Sequence, residues 1–163
     1  AEYDFLHSDR HVIGGEVNYV KDVEKLYKGC FPHIPVFCMN SDESEATKYF
    51  ANCFLATKVM VFNEMKVLCE NLGTINYDKV IDGVASDSRI GKSHTMVPGP
   101  DEEYGFGGTC FPKDINALIT TMEENGMDPI VLDSVWQQNK KYRLNWDWAH
   151  NTSAVNPVDH TDV

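Results

Sequence analysis

From Asp42 to Leu72 the sequence runs for 31 residues without a proline or a glycine. Ser41 offers an N-cap, Asp42, Glu43 and Glu45 fill the first turn, and Gly73 stops the run. The stretch predicts one helix of about 46 Å, at roughly 1.5 Å per residue. Its apolar residues, from Ala46, Tyr49 and Phe50 through Cys53, Phe54 and Leu55 to Met65, Leu68 and Cys69, cover much of the circumference. A long helix apolar on most sides must be wrapped by other elements or by a partner chain. It reads either as a central helix at a dimer interface or as one ordinary core helix.

The rest of the chain arranges itself around that helix. Arg10–Gly15 reads as a short strand stopped by Gly14-Gly15. Glu16–Lys28 carries Val17, Val20, Val23, Leu26 and Tyr27 at helical spacing, with Gly29 as its stop. Pro35–Met39 is a second strand, which makes one αβ unit and an incomplete sheet. After the long helix come a short helix at Tyr77–Ala85, a loop at Ser86–Tyr104 and a helix at Pro112–Asn125 with proline near its first position. A last helix opens at Asp128-Pro129 and runs to Ala149. The expected fold class is mainly α: a long central helix with packed helices, preceded by a small αβ unit. Residues 151–163 read as a frayed tail. The triplet Asn151-Thr152-Ser153 is taken as a chance match to a glycosylation site.

Composition narrows the function. With 25 acidic and 14 basic residues among 163, the formal net charge is −11. That excludes broad nucleic-acid binding, which needs clustered lysine and arginine, but leaves room for a small anionic ligand. Five cysteines, with no C-x-x-C, read as a reduced cytoplasmic set, several of them filling core space. No stretch reads as a signal peptide or a membrane span. The six histidines show no ligand spacing, so no metal site is expected. The first residue is Ala1, which suggests a processed, tagged or truncated chain.

Three constellations carry chemistry. In Gly105-Phe106-Gly107-Gly108-Thr109-Cys110-Phe111-Pro112-Lys113-Asp114 a glycine-rich loop delivers a cysteine to the start of a helix. Glycines allow close backbone approach and positive φ, and the helix N-terminus with Lys113 favours a thiolate at Cys110. Asp114 could act as a base or orient a water. An isolated cysteine of this kind is more often a buried structural one; the glycine, proline, lysine and aspartate around it favour the reactive reading. Lys48 and Asn52 stand four apart on the long helix, beside Leu55, Ala56 and Val59. They form either a polar patch aimed into a cleft or a snorkelling lysine with a surface asparagine. In Asp87-Ser88-Arg89-Ile90-Gly91, Arg89 either grips a phosphate or pairs at the surface with Asp87, the commoner case. No G-x-G-x-x-G and no P-loop occurs.

Taken in this order, the constellations resemble the UDP-glucose/GDP-mannose dehydrogenase family, the nucleotide-sugar 6-dehydrogenases. The matching stretches are Asp4–Gly15, Glu45–Glu70, Asp87–Gly91, Pro98-Gly99 and Gly105–Leu118, and the wording around Cys110 is closest to the UDP-glucose branch. The resemblance implies oxidation of a sugar C6 alcohol to a carboxylate in two steps with NAD. It makes Cys110 the nucleophile that passes through a thiohemiacetal and a thioester. It makes Lys48 the acid/base and oxyanion-stabilising lysine, Asn52 a holder of sugar and oxyanion, and Asp114 an organiser of the hydrolytic water. Tyr104, Gly105, Phe106, Gly107 and Gly108 would wrap the substrate, Arg89 would reach the sugar nucleotide across a homodimer interface formed by the long helix, and Lys113 would lie near the cofactor.

The departures from the family are equally specific. Its NAD-binding fingerprint and its C-terminal nucleotide-binding-like domain have no counterpart in this sequence, and the acidic run Asp101-Glu102-Glu103 falls where relatives contact substrate. Residues 1–40 then read as the end of the NAD-binding domain and residues 41–150 as the central helical dimerisation and substrate domain. Such a chain is expected to be inactive alone. Two other readings are a non-catalytic dimerisation or sugar-nucleotide-binding module, and a split enzyme whose NAD domain sits on another chain.

Overall fold

The computed structural model of the protein describes residues 5–150; the expected tail and the Asn151 triplet lie outside the described residues. Two compact units comprise residues 1–50 and 51–163.

In the first unit, β1 (His11–Gly14) pairs in parallel with β2 (Val36–Met39), with His11 opposite Val36 and Gly14 opposite Met39. The helix α1 (Val17–Cys30) connects them, as a parallel pair requires. It passes through Gly29 and ends one residue later, where the Phe31 N–H bonds back to the Tyr27 carbonyl. Gly29 is therefore not the stop that the sequence suggests. Of the apolar residues spaced along α1, only Val20 is buried, because two four-residue strands offer little surface to cover the others. Gly14 is required by close approach: a Cβ there would run into the Ser44 side chain.

The long helix α2 spans Ser41–Leu72. Its cap is Asn40 and not Ser41. The Glu43 N–H donates to Asn40 Oδ1 and the Asn40 N–H donates to Glu43 Oε2, both at 2.9 Å, a reciprocal capping box. At the far end Gly73 takes φ +67° and its N–H closes on the Cys69 carbonyl.

In the second unit, α2 meets α3 (Tyr77–Ala85), α4 (Cys110–Glu124) and α5 (Ile130–Tyr142). Cys53, Ala56 and Met60, spaced by three and four, present one face of α2 to Phe106, Ile115, Ile119, Trp136 and Trp148. Phe62 joins Tyr77, Ile81 and Val97 in a second cluster. Asn76 caps α3 by accepting from the Lys79 N–H. The helix α4 begins two residues earlier than Pro112; proline at its third position costs nothing because first-turn N–H groups have no intrahelical partner.

The last helix is shorter than its sequence suggests. It ends at Tyr142, and Arg143 turns extended with φ −85° and ψ 122°. The Arg143 guanidinium is captured by Asp101, Asp147 and the Asn145 carbonyl, which pulls the backbone off the helical path. A 3-10 turn at Asp147–His150 then returns Trp148 to the core, where it is 2 % exposed. Among the described residues no helix is long and apolar enough to cross a membrane, and no histidine, cysteine and carboxylate cluster could hold a metal.

Candidate active site

The start of α4 sets the site. Cys110 is its first residue and is exposed. Asp114 lies one turn further on the same face, fully buried. Its carboxylate accepts from Asn52 Nδ2 at 2.5 Å through Oδ2 and from Lys113 Nζ at 2.7 Å through Oδ1. The Asn52 side chain on α2 and the Cys110–Asp114 turn are thereby brought together across 62 residues of sequence. Cys53, the neighbour of Asn52, points its thiol at the Asp114 carbonyl at 3.5 Å. Burial, and then the Asp114 charge, push that thiol up to about 11, so Cys53 is inert near neutral pH. Of the five cysteines all are free, and Cys53 is the buried one.

The glycine loop lies beside this turn. Gly105 and Gly108 both take φ +72°, which glycine alone adopts without strain. Gly105, Phe106, Gly107 and Gly108 line a cleft of about 570 Å³, together with His94, Met96, Phe111 and Asp147. Phe106 is buried, in edge contact with Phe111 and stacked on Trp136, and its backbone N–H and carbonyl are both bonded to the Asn139 side chain. Burial, and then the Lys58 charge, hold the His94 imidazole below its usual value.

The remaining candidates are placed differently. Lys48 stands one turn before Asn52 on α2, exposed, with Nζ 5.3 Å from the centroid of the Tyr49 ring. Arg89 is paired with Asp87 through three side-chain contacts, the shortest 2.6 Å, and the guanidinium holds that carboxylate below its usual range. The Tyr104 hydroxyl donates to Glu70 Oε1 at 2.7 Å, and burial, then Glu70, push the phenol up to about 12. Lys113 is committed to Asp114 by a salt bridge at 2.7 Å. A dinucleotide needs a glycine turn cradling its pyrophosphate. Here the glycine loop leads to Cys110, and Lys113 faces a carboxylate, so these residues do not by themselves make an NAD site.

Four residues at the site escaped the sequence reading. Asn63 and Asn139 are 1 % and 0 % exposed, and they accept from the Gly105 and Phe106 N–H groups. Arg143 and Asp147 hold the Gly107-Gly108 end. Asn63 did carry a signal, since it continues the buried 53, 56, 60 spacing on α2 as a polar residue in an apolar stripe.

Comparisons with known proteins identify the family. The sequence profile of the UDP-glucose/GDP-mannose dehydrogenase family, central domain, matches residues 42–141. The UDP-glucose 6-dehydrogenase of Pseudomonas aeruginosa is 39 % identical over 142 residues, covering 86 % of this chain and 30 % of the relative. The UDP-glucose 6-dehydrogenase TuaD of Bacillus subtilis is 36 % identical over 145 residues, covering 88 % and 30 %. The solved structure of a UDP-glucose dehydrogenase from Pyrobaculum islandicum superposes with a TM-score of 0.74 at 34 % identity, over 85 % of this chain and 31 % of that one. This chain thus spans about 30 % of the length of the curated relatives it matches. By that match, which takes in the Asn52 turn, the glycine loop and the Cys110 helix, the chain belongs to the UDP-glucose/GDP-mannose dehydrogenase family.

Proposed function

We propose that this chain carries the thiol chemistry of a nucleotide-sugar 6-dehydrogenase acting on UDP-glucose. The observation that supports this most is the exposed Cys110 set one helical turn from a buried Asp114 that Asn52 and Lys113 both hold. In this reading Cys110 Sγ adds to a C6 aldehyde, and the resulting oxyanion is met by Asn52 and Lys48. After oxidation to a thioester, a water oriented by Asp114 attacks the acyl carbon and releases the carboxylate and the thiol. The hydride acceptor of the oxidation, which the family resemblance names as NAD, would lie near Lys113. The backbone of residues 105–108 and Tyr104 surround the sugar, and Arg89 releases Asp87 to meet the nucleotide of a partner subunit.

The exposed stripe Phe54, Val61, Met65, Leu68 and Leu72 on α2 supports a homodimer through the long helix. A chimera tests the proposal, with residues 42–141 replacing the matching stretch of the Pseudomonas aeruginosa enzyme. It should oxidise UDP-glucose with NAD, and Cys110→Ser should abolish turnover. A folded chimera that turns over equally well with Cys110→Ser would refute it.

A further inference from the structure

Three backbone N–H groups of the glycine loop are held by side chains. Gly105 donates to Asn63 Oδ1 and Phe106 to Asn139 Oδ1, each at 2.8 Å, and Gly108 donates to Asp147 Oδ2 at 2.9 Å. The two asparagines lie inside the stretch that matches the family profile; Asp147 lies beyond its end at residue 141. Asp147 is itself seated. Arg143 Nη2 reaches Asp147 Oδ2 at 3.4 Å and Asp101 Oδ2 at 2.6 Å, and the Arg143 side chain is 2 % exposed. Trp146 Nε1 donates to the Arg143 carbonyl at 3.0 Å, and the Trp148 ring packs 5.3 Å from Trp136. Residues 143–148 therefore form a hook anchored at both ends. The hook presses directly on the loop, because a Cβ on Gly107 would coincide with the Arg143 guanidinium and the Asp147 carboxylate.

The helix start needs such a hold. Thr109, at the N-cap of α4, makes no side-chain cap bond. The direction of the first turn, and with it the place of Cys110, is then set by what holds Gly108. We infer that Asp147, seated by Arg143, is a positioning residue that fixes Gly108 and thereby presents Cys110 at the head of α4. The inference rests on the proposed role of Cys110, so its test reads the loop and the cysteine separately.

The experiment compares Asp147→Ala with Asp147→Asn in the full chain. The two variants have equal charge, and the asparagine keeps a carbonyl acceptor, so their difference isolates the bond to Gly108. In Asp147→Ala the Gly108 amide should exchange about tenfold faster than in the unsubstituted chain, while Gly105 and Phe106, held by asparagines, change less than about twofold. Asp147→Asn should bring Gly108 back to within about threefold of the unsubstituted chain. Iodoacetamide labelling of Cys110 should differ about threefold between Asp147→Ala and Asp147→Asn, since the first turn that carries the thiol frays in one and is held in the other. Equal Gly108 exchange in the two variants, equal Cys110 labelling, or all three amides rising together would overturn the inference. Slow Cys110 labelling in the unsubstituted chain counts against the function proposal, and the Gly108 comparison still decides this one.

Discussion

Removing the amide of Asn52 tests whether the buried carboxylate at the site depends on it. Asp114 is fully buried, and Asn52 Nδ2 reaches Oδ2 at 2.5 Å. In Asn52→Ala the Oδ2 oxygen loses a direct donor, while Lys113 stays on Oδ1. A hydrogen bond to a charged group contributes about 1.5–3 kcal/mol, and losing one partner of a buried group leaves its desolvation uncompensated. The expected loss is therefore about 2 kcal/mol, which lowers the folded-to-unfolded ratio about 30-fold. Trp136 and Trp148, 3 % and 2 % exposed in the core that receives α2, make tryptophan fluorescence in urea the natural assay. With a slope of about 2 kcal/mol per molar, the midpoint should fall by about 1 M. Asn52→Asp should fall further at neutral pH, because it sets a second carboxylate against the first. A midpoint for Asn52→Ala within about 0.3 M of the unsubstituted chain, or an Asn52→Asp chain as stable as Asn52→Ala, would refute the reasoning.

The two neighbouring glycines should fail for different reasons. Gly107→Ala drives a methyl into the Arg143 guanidinium and should cost about 1–3 kcal/mol by overpacking. Gly108→Ala has open space but φ +72° and should cost about 1–2 kcal/mol of backbone strain. Urea midpoints give both costs, and only the first should be relieved by Arg143→Ala in the same chain. Cys110 should be alkylated by iodoacetamide faster than Cys30, Cys38, Cys53 and Cys69 near neutral pH, as read by peptide mapping; equal rates for Cys110 and buried Cys53 would contradict the assigned exposures. The Cys53 thiol, raised from 9.0 to about 11 by burial, favours the folded state while it stays protonated. That contribution is complete below 9 and is lost as pH rises through about 11, so Cys53→Ala should flatten the fall in stability across that window.

What local pattern controls, the sequence displays. The long helix needs only an unbroken run and Gly73, and its end follows from the positive φ that glycine takes there. The capping residue slips by one because Asn40 and Ser41 are both competent caps. The choice falls to Asn40, whose amide oxygen reaches the Glu43 N–H while Glu43 bonds back. Nothing local ends α5 at Tyr142. Residues 143–149 contain neither proline nor glycine, and the helix stops because Asp101, 42 residues upstream, takes the Arg143 guanidinium.

The site divides along the same line. The Cys110–Asp114 spacing is one helical turn and could be read directly, as could the Lys48–Asn52 spacing. The bond from Asn52 to Asp114 joins residues 62 apart, which no spacing rule reaches; family resemblance stood in for that geometry. The hook lies past the stretches that carry the resemblance. As a continued helix, residues 143–149 would point Arg143 and Asp147 outward as an ordinary i,i+4 ion pair. In the fold the same two residues close on the glycine loop, and the pair they form is secondary to what each holds: Arg143 grips Asp101 at 2.6 Å and Asp147 holds the Gly108 N–H at 2.9 Å, against 3.4 Å between them. The hook follows the stretch that the family profile matches and still acts on the glycine loop, because α5 ends at Tyr142 and the next residues turn back toward that loop.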